Sequence, residues 1–259
     1  MRKFLIPLTL LCSTAFAKPV EIILTERNSV SFNQAFTSEY VAKKQLEIFS
    51  KNNMLARSEP IYLVMDTPGG SVVAGLNFID SLKSLKRPVH TVTLFAASMG
   101  YQVVQELGTR YITPSGTLMS HRGAVSGIGG QIPGELNARL GYIQGLLEQM
   151  NKKAASRLKT DVEAYKASIV NELWIFGQQA VDTRNADAIA DVRCDKKLVE
   201  GKYIQQFNTI FGSVDVVFSK CPLISGPIGF SFSKEFKAQN RGTFIKNVSN
   251  SKRRIHLNF

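Results

Sequence analysis

Twice in close succession an apolar run ends in a turn of very small residues and continues as an amphipathic stretch. The first run, Ile61-Tyr62-Leu63-Val64-Met65, is unbroken, as in a strand buried on both faces. It stops at Asp66-Thr67-Pro68-Gly69-Gly70, a turn that only glycine-rich sequence can make. Val72 to Leu85 then has the period of a helix, closed by Lys83, Lys86 and Arg87 and stopped before Pro88. The second run, Val89 to Phe95, leads into Ala96-Ala97-Ser98-Met99-Gly100 and a short helix from Tyr101 to Leu107. Two brief strands are expected next, Arg110 to Thr113 and Thr117 to Ser120, separated by Pro114-Ser115-Gly116. Gly123 to Gly130 is glycine-rich. A long helix from about Gly134 to Leu158 carries Leu136, Leu140, Ile143, Leu147 and Met150 on one face, and a second helix is expected from Asp161 to Leu173. Upstream, Val20 to Leu24 reads as a strand and Ala35 to Phe49 as a helix. Strands alternating with crossover-length helices define an α/β chain with a mostly parallel sheet, expected to be covered on both faces.

At 259 residues the chain can hold one sizeable α/β domain and an appendage. Met1-Arg2-Lys3, the apolar run Phe4 to Leu11 and Ala15-Phe16-Ala17 have the pattern of a cleaved signal peptide, and the run is too short to span a bilayer. A lipid anchor on Cys12 is not expected, because Leu11 precedes it where a small residue is wanted. The expected organisation is therefore a signal peptide over 1–17, a catalytic domain over 18–193, and a C-terminal extension with a basic tail over 194–259. Cleavage near Ala17 would make the protein periplasmic or secreted.

The formal charge of +12 includes Arg2 and Lys3, so the chain from Lys18 would carry +10. Lys252-Arg253-Arg254 is the one tight basic cluster. Without an RNA-binding signature or an aromatic-basic stripe, it reads as a solvated tail, and no nucleic-acid partner is expected. Cys194 and Cys221 form an even pair once Cys12 has left, and a disulfide between them is expected in an oxidising compartment. Neither has a CxxC neighbour or a nearby histidine, so no metal is expected.

Reactive groups of an α/β sheet collect where strands turn into helices. A serine at such a turn is exposed and surrounded by free backbone N–H groups, which makes Ser98 a candidate nucleophile. Gly70, lacking a Cβ, would let a second backbone N–H approach the same point. Serine needs a general base, most often histidine, and there are only His90, His121 and His256. His90 opens an apolar strand and His256 lies in the tail. His121 closes the strand Thr117 to Ser120, at the sheet edge expected for Ser98.

Asp66-Thr67-Pro68-Gly69-Gly70-Ser71-Val72, Ala96-Ala97-Ser98-Met99-Gly100 and Met119-Ser120-His121 resemble, in order and spacing, the motifs of the Clp protease proteolytic subunit. Met150-Asn151 on the long helix continues the match, which spans about residues 20 to 192. The resemblance implies the fold shared with crotonases, a Ser-His-Asp peptidase mechanism without a cofactor, and assembly into rings. It makes Ser98 the nucleophile, His121 the base, and Gly70 and Met99 the donors of the oxyanion hole. Its aspartate falls on Glu172, with Asn171 as the neighbouring alternative. Because the segment after the histidine lies beside substrate in that family, Gly123, Gly127, Gly129 and Gly130 are candidate substrate-binding positions.

The reading that follows is an exported serine endopeptidase acting on peptides or unfolded proteins, a homo-oligomer. No ATP-driven unfoldase is expected as partner, since ATP is scarce outside the cytoplasm and no Walker motif is present. A serine-lysine dyad through Lys152 or Lys153 is the lesser enzymatic alternative. A non-catalytic peptide-binding or scaffold protein of the cell envelope is the alternative from another class.

Overall fold

The computed structural model describes residues 18–124, 129–209, 212–224, 226–234, 236 and 241–247. The first half alternates strand and helix: β1 (Val20–Leu24), β2 (Ser29–Phe32), α1 (Ser38–Met54), β3 (Ile61–Thr67), α2 (Val72–Lys83), β4 (Val89–Ala97), α3 (Met99–Glu106) and β5 (Arg110–Ser120). There follow α4 (Gly134–Leu158), α5 (Val162–Ser168), β6 (Leu173–Phe176), α6 (Gly177–Asp182), β7 (Ala188–Cys194), α7 (Lys196–Glu200), β8 (Lys202–Thr209), β9 (Gly212–Ser219) and β10 (Pro227–Phe232).

Strands lie in the order β1-β7-β5-β4-β3-β2, and β6 pairs with β5. Every pairing along that order is parallel; β6 alone runs antiparallel. Because β2, β3, β4 and β5 are neighbours in both sequence and space, each right-handed crossover lays its helix on the same face. Side chains alternate along the strands. Ile61, Leu63 and Met65 join the large core formed with α1 to α6. Tyr62 and Val64 point the other way, into a second cluster with Val92, Ile22, Leu24, Leu198 and Cys221. The sheet is thus covered on both faces, as expected, but by different parts of the chain. One face carries the crossover helices, and the other is covered in part by α7 and the Cys221–Leu223 segment of the C-terminal region.

That region forms its own antiparallel sheet, β10-β9-β8, around Val214, Val216, Phe218 and Phe236. Cys194, at the end of β7, and Cys221 are joined by a disulfide with Cα atoms 5.9 Å apart, and Lys220 pairs with Glu26 at 2.8 Å. The small sheet is therefore tied to the main domain by a covalent bond and an ion pair.

Three local expectations are revised. The helix expected to Leu173 ends at Ser168, and Leu173–Phe176 is the strand β6. Its apolar run, Leu-Trp-Ile-Phe, fits either structure by period; Glu172 at φ 63° breaks the helix between them. The two brief strands are one strand, β5, but its pairing with β4 jumps from Thr93–Ile112 to Phe95–Thr117. Residues 113–116 thus form the interruption that Pro114-Ser115-Gly116 signalled. The apolar stripe of α4 packs on the core only at its end: Met150 is buried, Leu136, Ile143 and Leu147 are half-buried, and Leu140 is exposed. Among the described residues no helix is long and apolar enough to cross a membrane.

Candidate active site

The site begins with the register of β4 and β5. Ala97 lies opposite Met119, and the Ser98 N–H donates to the Met119 carbonyl at 2.9 Å. The chain therefore leaves β4 and β5 side by side, one strand delivering Ser98 and the other His121. His121 Nε2 lies 2.7 Å from Ser98 Oγ, within hydrogen-bond reach of a base and its nucleophile.

Ser98 caps α3 with φ 55° and ψ −118°, a conformation open to few residues other than glycine. Holding it there costs on the order of 1–3 kcal/mol, borne by the packed elements on either side. The sharp turn leaves Ser98 half-buried while Ala96, Ala97 and Met99 are buried. Met99 is the first residue of α3, so its N–H has no acceptor within the helix.

The glycine pair stands against this turn. A Cβ on Gly69 would come within 2.6 Å of Ser98 Cβ and 2.9 Å of the Met99 nitrogen. On Gly70, a Cβ would lie 2.6 Å from the nitrogen of Phe36. Both glycines have positive φ, 99° and 138°. Phe36 bridges to Gly70 through the Gly69 carbonyl and the Ser71 N–H, so that bridge leaves the Gly70 N–H unused. The structure thus brings Ser98, His121, Met99 and the glycine pair together. Sequence reasoning named Gly70 alone, yet Gly69 makes the closer contact with the nucleophile turn; the signal was the doubled glycine itself.

Glu172 is a different matter. The antiparallel register ends with Leu173 opposite Ser120, and Glu172 and His121 are the next residues beyond that pair. The Glu172 carboxylate, however, accepts from Trp174 Nε1 at 2.9 Å. Among the described residues, the hydrogen bond to the His121 ring is that with Ser98. Asn171 is exposed.

Gly123 packs beneath Leu147 of α4, where a Cβ would meet its Cδ2 at 2.4 Å. Gly129 faces open space, and Gly130 has φ 154°. Gly127 lies outside the described residues. Lys152 and Lys153 are directed to Glu148 at 3.8 Å and Glu106 at 3.3 Å, along the flank of α3 and α4 rather than at its start. His90 Nδ1 accepts the Thr109 N–H at 2.9 Å, and burial pushes its pKa down. Among the described residues no three of His, Cys, Asp and Glu converge in a way that could hold a metal ion.

A singly wound α/β sheet with a strained serine at one strand end and a histidine at the next defines a class: proteins with a serine–histidine pair built on adjacent parallel strands. The family model for Clp protease matches residues 16–193, most of the chain, which therefore belongs to the Clp protease family. The chain is 27% identical over 137 residues to the ATP-dependent Clp protease proteolytic subunit of Streptococcus agalactiae serotype V, covering 52% of this chain and 70% of that protein. It is 25% identical over 127 residues to the subunit of the same name from Leuconostoc citreum, covering 48% of this chain and 64% of that protein.

Proposed function

We propose that this chain is a serine endopeptidase that hydrolyses peptides or unfolded proteins without ATP. Membership of the Clp protease family supports a peptidase role, and the observation that carries the finer reading is the 2.7 Å contact between His121 Nε2 and Ser98 Oγ. In the proposed reaction His121 takes the Ser98 proton as Oγ bonds to the scissile carbonyl carbon. The resulting oxyanion accepts hydrogen bonds from the N–H groups of Met99 and Gly70, each worth about 3 kcal/mol of barrier. Collapse breaks the C–N bond, and His121 returns the proton to the leaving amine. Water, activated by the same imidazole, then hydrolyses the acyl-enzyme and restores Ser98.

Glu172 is proposed to orient the His121 imidazole, a role supported by its place, like that of His121, one residue beyond the last β5–β6 pair. An extended peptide would lie along the backbone of Gly123, Gly127, Gly129 and Gly130, where Gly129 leaves its surroundings open. The basic, apolar and small-residue pattern of residues 1–17 and the Cys194–Cys221 disulfide favour an exported protein, periplasmic or secreted. In such a compartment an ATP-driven unfoldase has no fuel, and the enzyme works alone. Exposed Ile132, Leu140 and Tyr142, on and just before α4, favour a homo-oligomer assembled through that helix.

The test is hydrolysis of an unfolded protein such as casein by the purified chain, with and without ATP. Cleavage that is independent of ATP and lost in Ser98→Ala supports the reading. A folded wild-type chain that leaves unfolded protein intact contradicts it.

A further inference from the structure

Beside the serine–histidine pair runs a buried polar chain that the reaction as written does not use. Tyr165 of α5 is 1% exposed, and its hydroxyl lies 2.8 Å from Ser120 Oγ, itself 1% exposed and adjacent in sequence to His121. The same hydroxyl accepts from Gln102 Nε2 at 3.3 Å. Gln102 stands one turn into α3, and its backbone N–H donates to the Ser98 carbonyl at 3.2 Å. These contacts close a ring. It runs from Ser98 through α3 to Gln102, across Tyr165 to Ser120, along the backbone to His121, and back to Ser98 Oγ. At the far end of the same helix and strand, Arg110 Nη1 donates to Gln105 Oε1; at the reactive end, the direct backbone bond is the N–H of Ser98 to the Met119 carbonyl.

Resting on the serine-peptidase reading above, we propose that Tyr165 is a positioning residue for the reaction, its hydroxyl fixing the distance between the helix that carries Ser98 and the strand that carries His121. The hydroxyl suits the task for three reasons. Its residue sits in the main core among α3, α4 and α5, 1% exposed. Burial pushes its pKa up, so it stays a neutral group able to donate one bond and accept another. Its own helix is anchored by Asp161, which caps α5 through the N–H groups of Glu163 and Ala164. A hydrogen bond to each of two elements transmits a fixed spacing that apolar contact, tolerant of sliding, does not. Tyr165 touches no reacting atom, and it acts through Ser120 and Gln102.

The experiment measures inactivation by a fluorophosphonate, separating the maximal rate from the half-saturating concentration, alongside melting temperature. Tyr165→Phe keeps the ring and removes the hydroxyl. Its maximal inactivation rate is expected to fall about tenfold, within the range for sub-ångström to ångström misplacement of reacting groups, with half-saturation unchanged. Ser120→Ala removes the other end of the same bond and is expected to act alike. The double variant should be no slower than the worse single one, the signature of a shared interaction. A hydroxyl that merely stabilises would lower the melting temperature and leave the maximal rate as in wild type, and that result in either single variant overturns the proposal. A wild-type chain that does not react at all contradicts the peptidase reading itself, which separates the two failures.

Discussion

The indole N–H of Trp174 donates to the Glu172 carboxylate at 2.9 Å, one residue beyond the Ser120–Leu173 pair that ends the β5–β6 register. The bond is exposed, so it is worth little, and water replaces it readily. In the proposed reaction that carboxylate would leave the indole for the His121 imidazole.

Glu172→Ala is therefore expected to lower kcat by about a hundredfold or more, on the scale of losing the orienting carboxylate of a triad. Trp174→Phe should keep wild-type turnover or exceed it, because it frees the carboxylate. Asn171→Ala should be silent. Steady-state kinetics on a fluorogenic peptide check all three; equal activity of wild type and Glu172→Ala would remove Glu172 from the site.

Gly69→Ala should abolish activity and depress the melting temperature. Its Cβ would collide with the Ser98 Cβ, the Ala97 carbonyl and the Met99 nitrogen, at a φ that already disfavours side chains. Gly129→Ala, with nothing within 4 Å, should fold as wild type. If a peptide does run along the glycine stretch, that variant should raise KM while kcat holds.

What the sequence made legible follows from how local each signal is. Ser98 and His121 stood out because a small-residue turn and a strand-ending histidine are local patterns, and α4 runs over Gly134–Leu158 as its period indicates. β6 did not stand out: four apolar residues have no period of their own, and pairing with β5 settles what they become. β8 was hidden likewise, since its residues are largely exposed and polar ones interrupt the run. Tyr165 read as one more residue of a helix; only tertiary packing sets its hydroxyl between Gln102 and Ser120.

The Cys194–Cys221 disulfide closes a loop with a sequence separation of 27. Crosslinking a loop of that length is worth about 3.5 kcal/mol by the chain-entropy argument. The Cys194→Ser/Cys221→Ser variant should melt several degrees lower than wild type. Reducing agent should lower the wild-type midpoint to meet it and leave the variant unmoved, as differential scanning fluorimetry would read directly.

Asp187 holds the buried Arg110 guanidinium through both carboxylate oxygens and accepts the Arg110 backbone N–H at 2.8 Å. Burial pushes the Asp187 pKa up, but hydrogen bonds and charge from Arg110 outweigh it, and the pKa is lowered. A carboxyl lowered on folding adds stability above its unfolded value, near 3.9, and that contribution is lost as pH falls through the folded value. Wild type should thus lose stability on acidification below about pH 4. Asp187→Asn, less stable at neutral pH, should show a smaller loss over the same window in urea denaturation.

Mass spectrometry after fluorophosphonate treatment tests whether Ser98 is a nucleophile activated by His121. One adduct is expected, mapped to the peptide containing Ser98, absent in Ser98→Ala and strongly slowed in His121→Ala. A folded chain that takes up no label, or an adduct that persists unchanged in Ser98→Ala, would contradict that role.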